Sequence, residues 1–387
     1  MNIKKKKICF LTSTRADFGL LKNLIKLAKK NKYFNINIVA FGTHFSKKFG
    51  NTSSEIKSNS FKINQSIKIG LNEDSPYALS KYFSKFSSKF NKSLIKIKPD
   101  LLVILGDRFE MLAAAAIATI HNIPICHLHG GESTQGLIDD TIRHAITKLS
   151  AIHFVSHIKY KKRLIQMGEN KRNIHHVGAL GLNSISKTKF LEKNYLEKKL
   201  KLQFRDKTFI VTYHPVTKVN DSIKHVDELI KAIKVFKKTS FIFTSPNMDS
   251  EHNKIIFKIK KFVRENENIY FFKSLGKDRY FNMLKYVDGV IGNSSSGIIE
   301  VPSFKKGTIN IGERQKGRIQ SNSVINCKPT KTHIIASIKK ISSKNFVRKL
   351  KKIKNPYYKP NTEIKIVQKL KNTNFKILEN KPFFDYE

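Results

Sequence analysis

The sequence predicts an α/β fold made of two doubly wound domains, and three observations carry that prediction. Short, nearly unbroken apolar runs alternate with longer stretches whose apolar residues recur at helical spacing. The alternation runs once through the first half and begins again after a lysine-rich changeover at Lys187–Lys207. At 387 residues the chain has room for two domains of about 150–200 residues each. The expected division is 1–186 and 187–387, with a C-terminal helix over about 361–372 packing back on the first domain.

In the first half the strand candidates are Ile8–Ser13, Asn35–Phe41, Leu101–Gly106, Ile123–His129, Ala151–Ser156 and Ile174–Gly178. Runs of this length without polar alternation suit parallel strands covered by helices on both faces. Between them Leu20–Asn31, Tyr77–Ile97 and Thr141–Leu149 are amphipathic, which completes βαβ units. The second half offers Phe209–Tyr213, Ser240–Thr244, Asn268–Phe272, Val287–Ile291 and Thr308–Ile311 as strands. Helices are expected over Ser222–Lys237, Ser250–Asn266 and Gly297–Ser303. Sheets of this type bind ligands beyond the carboxyl ends of their strands, so function is sought just after each strand, in a cleft that the two domains face.

Composition excludes several classes. The longest nearly apolar run, Met111–Ile120, is half the length a membrane span requires. Lys4–Lys7 is followed by too short an apolar stretch for a secretory signal, so a cytoplasmic protein without membrane partner is expected. Cys9, Cys126 and Cys327 are few and distant, which fits reduced core thiols better than a disulfide framework or a zinc site. The formal net charge of +45 invites nucleic acid as a partner. However, only 11 of the 74 basic residues are Arg, and the Lys are spread along the chain rather than clustered with aromatics. A solvated lysine surface is the expected reading, with no nucleic-acid partner. Scarce Arg then become informative: Arg15, Arg108, Arg143, Arg314 and Arg318 stand in the blocks below, where planar two-pronged contacts would be of use.

Five blocks carry candidate chemistry. Thr12–Gly19, after the first strand, places Arg15 near a helix start as an anion seat, or else simply caps the helix through Asp17. Gly106–Glu110 sets Asp107 and Arg108 at a strand end; a capping Asp with a structural ion pair is the plainer alternative. Cys126–Lys148 is the densest, with His127 and His129, the pair Gly130–Gly131, and the acids Glu132, Asp139 and Asp140. Paired carboxylates can divide acid and base roles. The glycines would let a ligand approach the backbone. His127 and His129 on one strand face could ligate a metal, but no third ligand follows from spacing, so no metal is expected. Tyr213–Thr217 offers His214 at a strand end as a general acid or phosphate donor. Gly292–Glu300, with Ser294, Ser295 and Ser296 entering a helix, suits a diphosphate held by backbone amides and hydroxyls, and Glu300 suits ribose hydroxyls. Asn310–Arg318 brings Arg314 to the same rim.

Taken together, TSTRADFGLL, GDRFE, HGGESTQGLIDDTIRHAITKLS, YHPVT, GNSSSGIIE and NIGERQKGR resemble, in order, the hydrolysing UDP-N-acetylglucosamine 2-epimerases of the branch that feeds sialic and legionaminic acid synthesis. The resemblance spans Arg15 to about Arg318. It implies two Rossmann-like domains of the GT-B type with the active site between them. It also implies no metal or nicotinamide cofactor, a UDP-sugar as partner, and a homo-oligomer, dimer or tetramer. The implied reaction eliminates UDP to a 2-acetamidoglucal and adds water to give N-acetylmannosamine. An alternative substrate is a UDP- or GDP-linked 2,4-diacetamido-2,4,6-trideoxyhexose. The resemblance matches Asp107, Asp139, Asp140 and His214 to catalytic positions, and Arg15, Arg108, Ser294, Ser295, Ser296, Glu300 and Arg314 to substrate-binding ones. The chain departs from many relatives by carrying His129 where they carry Glu. Glu132 is therefore expected to take the loop's acid–base role, with His129 beside the substrate. A glycosyltransferase on this fold and a basic nucleic-acid-binding protein are the other classes considered.

Overall fold

The computed structural model describes residues 4–46, 51–70, 75–135, 138–216, 221–246 and 251–385. Gly136, Leu137, Thr217 and Ser250, which fall in expected motifs or elements, lie outside the described residues. The chain divides into two compact units. The first holds residues 1–132, 138–183 and 357–387, and the second holds 133–137 and 184–356.

The first unit runs β1 (Lys6–Thr12), α1 (Arg15–Lys30), β2 (Phe34–Ala40), α2 (Ser53–Ser58), β3 (Gln65–Ser66), α3 (Pro76–Ile97), β4 (Leu101–Leu105), α4 (Phe109–Ile120), β5 (Ile125–Leu128), α5 (Ile138–Leu149), β6 (Ile152–Val155), α6 (Ile158–Gln166) and β7 (Ile174–His176). Its strands form one parallel sheet in the order β3-β2-β1-β4-β5-β6-β7. The apolar runs are unbroken because both faces are covered. Ile8, Phe10, Leu101 and Val103 pack on one side, while Cys9, Leu11, Leu102 and Ile104 pack on the other.

Local chemistry sets the helix ends. Thr14 and Asp17 form a reciprocal capping box at the start of α1. Ser75 caps α3 with Pro76 at its first position, and Lys98 closes it in the left-handed region. Along α3 the buried Tyr82, Phe86, Phe90, Leu94 and Ile97 follow a helical period onto the sheet.

The second unit runs α7 (Lys193–Leu200), β8 (Lys207–Thr212), α8 (Ser222–Ile233), β9 (Thr239–Thr244), α9 (His252–Arg264), β10 (Ile269–Phe272), α10 (Gly276–Tyr286), β11 (Gly289–Gly292), α11 (Ser296–Ile299), β12 (Gly307–Ile311), β13 (Val324–Cys327), α12 (Lys331–Ile341) and α13 (Lys344–Leu350). Its parallel sheet has the order β10-β9-β8-β11-β12-β13. Phe209 and Val211 face one core layer and Ile210 the other. The chain then returns to the first unit with α14 (Thr362–Asn372) and α15 (Phe375–Glu379). Ile366, Val367 and Leu370 of α14 join the core under α1.

Each expected strand is present to within a few residues at its ends. The two-residue β3 and the edge strand β13 were not anticipated. The first is polar and too short to show a period, and the second carries the exposed Asn326 between buried neighbours. The helix expected over Gly297–Ser303 is instead a four-residue α-turn ending at Ile299, followed by a 3-10 turn Val301–Phe304. Pro302 lacks the amide that would continue the ladder.

In both sheets strand order reverses between the first strand and its neighbour. The switch points lie between β1 and β4 and between β8 and β11. The blocks at Thr12–Asp17 and Gly106–Arg108 follow β1 and β4, and those at His214 and Asn293 follow β8 and β11. All four therefore sit where crevices open in such sheets.

Candidate active site

In the first unit Arg143 is the organising side chain. It projects from α5 and is 2% exposed. Its Nη2 donates to Asp107 Oδ2, its Nη1 donates to Asp140 Oδ1 at 3.1 Å, and Nη1 also donates to the Glu132 carbonyl at 2.9 Å. A guanidinium fork suits several acceptors at once, and burial requires that its charge be answered by carboxylates. Asp107 follows Gly106, which turns out of β4 with φ of +81°. Asp139 and Asp140 occupy the first turn of α5, with Arg143 one turn on. The capping alternative for Asp107 is thus half right: it is ion-paired, but its partner comes from α5. Arg108 is the residue that pairs locally, through Nε and Nη2, with the buried Glu110 at 3.2 and 3.0 Å.

Glu132 is 3% exposed and its Oε1 receives two donors, Ser156 Oγ at 2.8 Å and His129 Nδ1 at 3.1 Å. The His129 tautomer follows from its other side. Nε2 accepts from the Leu180 amide at 3.1 Å, so the proton resides on Nδ1 and is donated to Glu132. Both ring nitrogens of His129, for which a substrate contact is expected from the sequence, are engaged inside the protein, one by the Leu180 amide and one by Glu132. β5 ends at Leu128, and His129 itself lies in the left-handed region at φ +65°, so His127 and His129 do not share a strand face.

His127 is fully buried. Its Nε2 lies 2.8 Å from the Gly106 carbonyl and its Nδ1 lies 3.2 Å from Thr147 Oγ1. Burial pushes its pKa down to about 3, which keeps the ring neutral. Among the described residues no group of three or more His, Cys, Asp or Glu is placed to hold a metal.

The Gly130–Gly131 pair is explained by the protein itself. A Cβ on Gly130 would lie 2.8 Å from His127 Nδ1, and one on Gly131 2.3 Å from Leu164 and 2.9 Å from the Tyr160 carbonyl. The glycines admit neighbouring protein atoms, where a ligand had been expected.

After β1, Asp17 accepts from Thr12 Oγ1 at 2.6 Å, from the Ser13 amide and hydroxyl, and from the Thr14 amide. Arg15 stands at the first position of α1 with Nε 2.7 Å from Glu55 of α2. His44 is wholly buried between Thr12 Oγ1 and Thr52 Oγ1, each 2.9 Å away. Burial lowers its pKa against the opposing pull of Asp17 and Glu55.

In the second unit the turn after β11 is tied to the end of β8. Asn293 accepts from the His214 amide at 2.6 Å and donates to its carbonyl at 2.8 Å. Gly292 permits this approach: with φ +134°, a Cβ there would lie 1.9 Å from the Thr212 carbonyl oxygen. Arg314 and Gln315 both donate to the Asn293 carbonyl, at 3.3 and 2.8 Å. Among the described residues no protein group accepts from the Ser294 and Ser295 amides. Ser296 Oγ meets the half-buried Tyr280 hydroxyl at 2.7 Å. Glu300 ends α11, and its Oε2 is buried without a partner. Burial raises the Glu300 pKa against the opposing pull of the Ser296 hydroxyl. His214 is buried, and burial, then Arg314 and His252, hold it far below the usual histidine range, so it is a neutral ring. Ser133–Gln135 count with this unit: the Gln135 amide bonds the Lys316 carbonyl at 3.0 Å.

Sequence reasoning does not place Ser156, Glu55, His44, Tyr280, Asn293 or Gln315 among the site residues, and it marks Arg143 only as a scarce arginine suited to a two-pronged contact. Arg143 had a signal: it is a scarce Arg at i+3 and i+4 from two acids on one helix.

Two parallel α/β units, each with polar groups gathered at its switch point, define a Rossmann-like protein of the GT-B type. The chain belongs to the UDP-N-acetylglucosamine 2-epimerase family, whose model matches residues 26–371. It is 39% identical over 386 residues to a Campylobacter jejuni protein named GDP/UDP-N,N'-diacetylbacillosamine 2-epimerase (hydrolyzing), covering 99% of this chain and 100% of that one. It is 36% identical over 383 residues to the polysialic acid biosynthesis protein P7 of Escherichia coli, covering 98% and 97%. In fold it is similar to the UDP-GlcNAc 2-epimerase of Neisseria meningitidis bound to UDP-GlcNAc, with TM-score 0.81 and 18% identity, covering 94% and 99%.

Proposed function

We propose that this protein is a hydrolysing 2-epimerase that converts UDP-N-acetylglucosamine to N-acetylmannosamine and UDP. The observation that carries the reading is the buried Arg143, which gathers Asp107, Asp140 and the Glu132 backbone into one acidic cluster.

The chemistry needs such a cluster. The proton on sugar C2 is not acidic, so it must leave as the C1–O bond to the diphosphate breaks and positive character grows at C1. Elimination forms the C1–C2 double bond of 2-acetamidoglucal. Water then gives its hydroxyl to C1, and a proton arrives at C2 on the opposite face. Glu132, held by His129 and Ser156, takes the acid–base role at C2. Asp107, Asp139 and Asp140 stabilise the charge at C1 and direct the water. Arg15, Arg108, Arg314 and the Ser294–Ser296 turn hold the diphosphate, and neutral His214 donates to a departing phosphate oxygen. Glu300 accepts from ribose hydroxyls, which would supply the donor its buried oxygen lacks. The reaction draws on neither metal nor nicotinamide. The partners on this reading are the UDP-sugar and further copies of the chain.

A second substrate is favoured by one observation. The Campylobacter jejuni relative carries the name of diacetylbacillosamine, a sugar with a second acetamido group at C4. The test offers UDP-N-acetylglucosamine and UDP-diacetylbacillosamine separately in D2O and follows products by NMR. Release of UDP with a C2-deuterated, C2-inverted sugar supports the reaction, and the larger kcat/KM names the substrate. Release of unlabelled N-acetylglucosamine would contradict the elimination route. Asp107→Asn should lose most turnover while UDP still binds; unchanged turnover removes Asp107 from the catalytic set.

A further inference from the structure

Arg15 is paired within the protein itself. Its Nε lies 2.7 Å from Glu55 Oε2, with both side chains 36% exposed. Glu55 belongs to α2, a six-residue helix, so its position depends on what anchors that helix. The anchor is internal. Thr52, the residue before α2, meets His44 Nδ1, and His44 Nε2 meets Thr12 at the end of β1. Thr12 in turn donates to Asp17, two residues beyond Arg15 in the same turn. A buried histidine therefore fixes α2 to the very turn that presents Arg15, and the Glu55 carboxylate is held there by construction.

We propose that Glu55 is a built-in counter-anion for Arg15. It holds the guanidinium while the site is empty, and the nucleotide's diphosphate takes the guanidinium from it on binding. The proposal rests on the reading that Arg15 binds the diphosphate. A half-exposed ion pair is worth little, so it yields readily. A diphosphate carries more charge than one carboxylate and presents several oxygens to the planar fork, so the exchange favours the ligand. The consequence is a tuned affinity: nucleotide binding is weaker than the phosphate contacts alone would give, which speeds release of UDP after turnover.

The test is a double-variant cycle on the full chain, read by calorimetric UDP binding with thermal melting as a fold check. Arg15→Gln should weaken UDP binding. Glu55→Gln should tighten it by about two- to fivefold, the range a half-exposed ion pair supplies. The same Glu55→Gln change in the Arg15→Gln background should leave the dissociation constant unaltered, and Glu55→Asp should stay near the parent value. The gain from Glu55→Gln should also fade towards one as NaCl rises towards about 1 M, where screening reaches about 3 Å. Equal tightening in both backgrounds would mean general repulsion and would overturn the exchange. So would unchanged or weaker UDP binding in Glu55→Gln alone. If Arg15→Gln itself leaves UDP affinity untouched, Arg15 does not hold the diphosphate, and the underlying assignment falls together with this proposal.

Discussion

Arg143 and Asp107 are ion-paired from different elements, the turn after β4 and the middle of α5, and Arg143 reaches Asp140 with its other nitrogen at 3.1 Å. Lysine carries the same charge but cannot present two separated donors in a plane. Arg143→Lys should therefore leave the fold intact and release one carboxylate from its position. We expect kcat to fall by about 100-fold, the effect of a misplacement near 1 Å, with UDP affinity within about threefold of the parent. Steady-state kinetics and calorimetry decide it. A loss of less than tenfold would show that the acids hold their places without Arg143.

On the proposed reading, the bonded pair His129–Glu132 divides into an acting group, Glu132, and an orienting one, His129. Glu132→Gln removes the proton acceptor and should cost about 10²–10⁴ in turnover, the usual span for acid–base catalysis. His129→Asn tolerates the left-handed backbone at φ +65° but cannot span from the Leu180 amide to Glu132. It should lose about 10–100-fold in kcat with little change in KM. C2 proton exchange measured by NMR checks both variants. If His129→Asn is as damaged as Glu132→Gln, His129 itself handles the proton.

These relationships mark what the sequence could and could not reveal. β1 and β4 were legible because a strand covered on both faces must be apolar throughout. The division of the third block's acids was not. Asp140 and Arg143 lie on one helix at a readable spacing, but Asp107 joins them only through the β4–β5 register. The bond from His129 to Leu180 depends on a left-handed backbone that no short-range pattern announces. Gly130 and Gly131 looked like a ligand approach because sequence cannot show that His127 and Leu164 already fill that space. The serine turn suggests a helix over Gly297–Ser303 because its apolar residues continue past Ile299, but sequence spacing does not show the ladder stopping there before Pro302. On the proposed reading, anion binding there would draw on the turn's amides, its hydroxyls and Arg314 more than on the dipole of a four-residue helix.

Gly292 gives a stability prediction that is independent of catalysis. A methyl group there would meet the Thr212 carbonyl at 1.9 Å in a backbone conformation that side chains rarely adopt. β11 and β8 are central neighbours in the second sheet, so the clash cannot be relieved at an edge. Gly292→Ala should destabilise the second unit by more than about 3 kcal/mol and reduce soluble yield. Urea unfolding followed by circular dichroism measures it. A change below about 1 kcal/mol would mean that the β8–β11 contact adjusts freely.

Glu169 supplies the pH dependence. It is 1% exposed in the first unit and is met by Lys381 at 2.7 Å, Lys148 at 2.9 Å and His153 at 3.0 Å. Burial alone would raise its pKa, but the bonds from His153 and Lys381 outweigh burial and hold it below the usual value. A carboxyl with a depressed folded-state pKa stabilises the fold above its unfolded value of 4.5, and that contribution is lost as pH falls through the folded value. Lys381→Met removes one of two ammonium partners and leaves Lys148. The cost at pH 7 should therefore be about 1–3 kcal/mol, less than for a fully orphaned buried charge. As pH drops below 4.5 and Glu169 takes up a proton, the gap between parent and variant should close. Denaturant unfolding of the first unit at pH 7, 5 and 3.5 measures the gap, with the two units' transitions fitted separately. The double variant Lys381→Met/Glu169→Gln should regain part of the loss at pH 7, because no buried charge is then left short of a partner. A gap of constant size across this range would show that Lys381 contributes through the packing of its methylenes, with Glu169 already satisfied by Lys148 and His153.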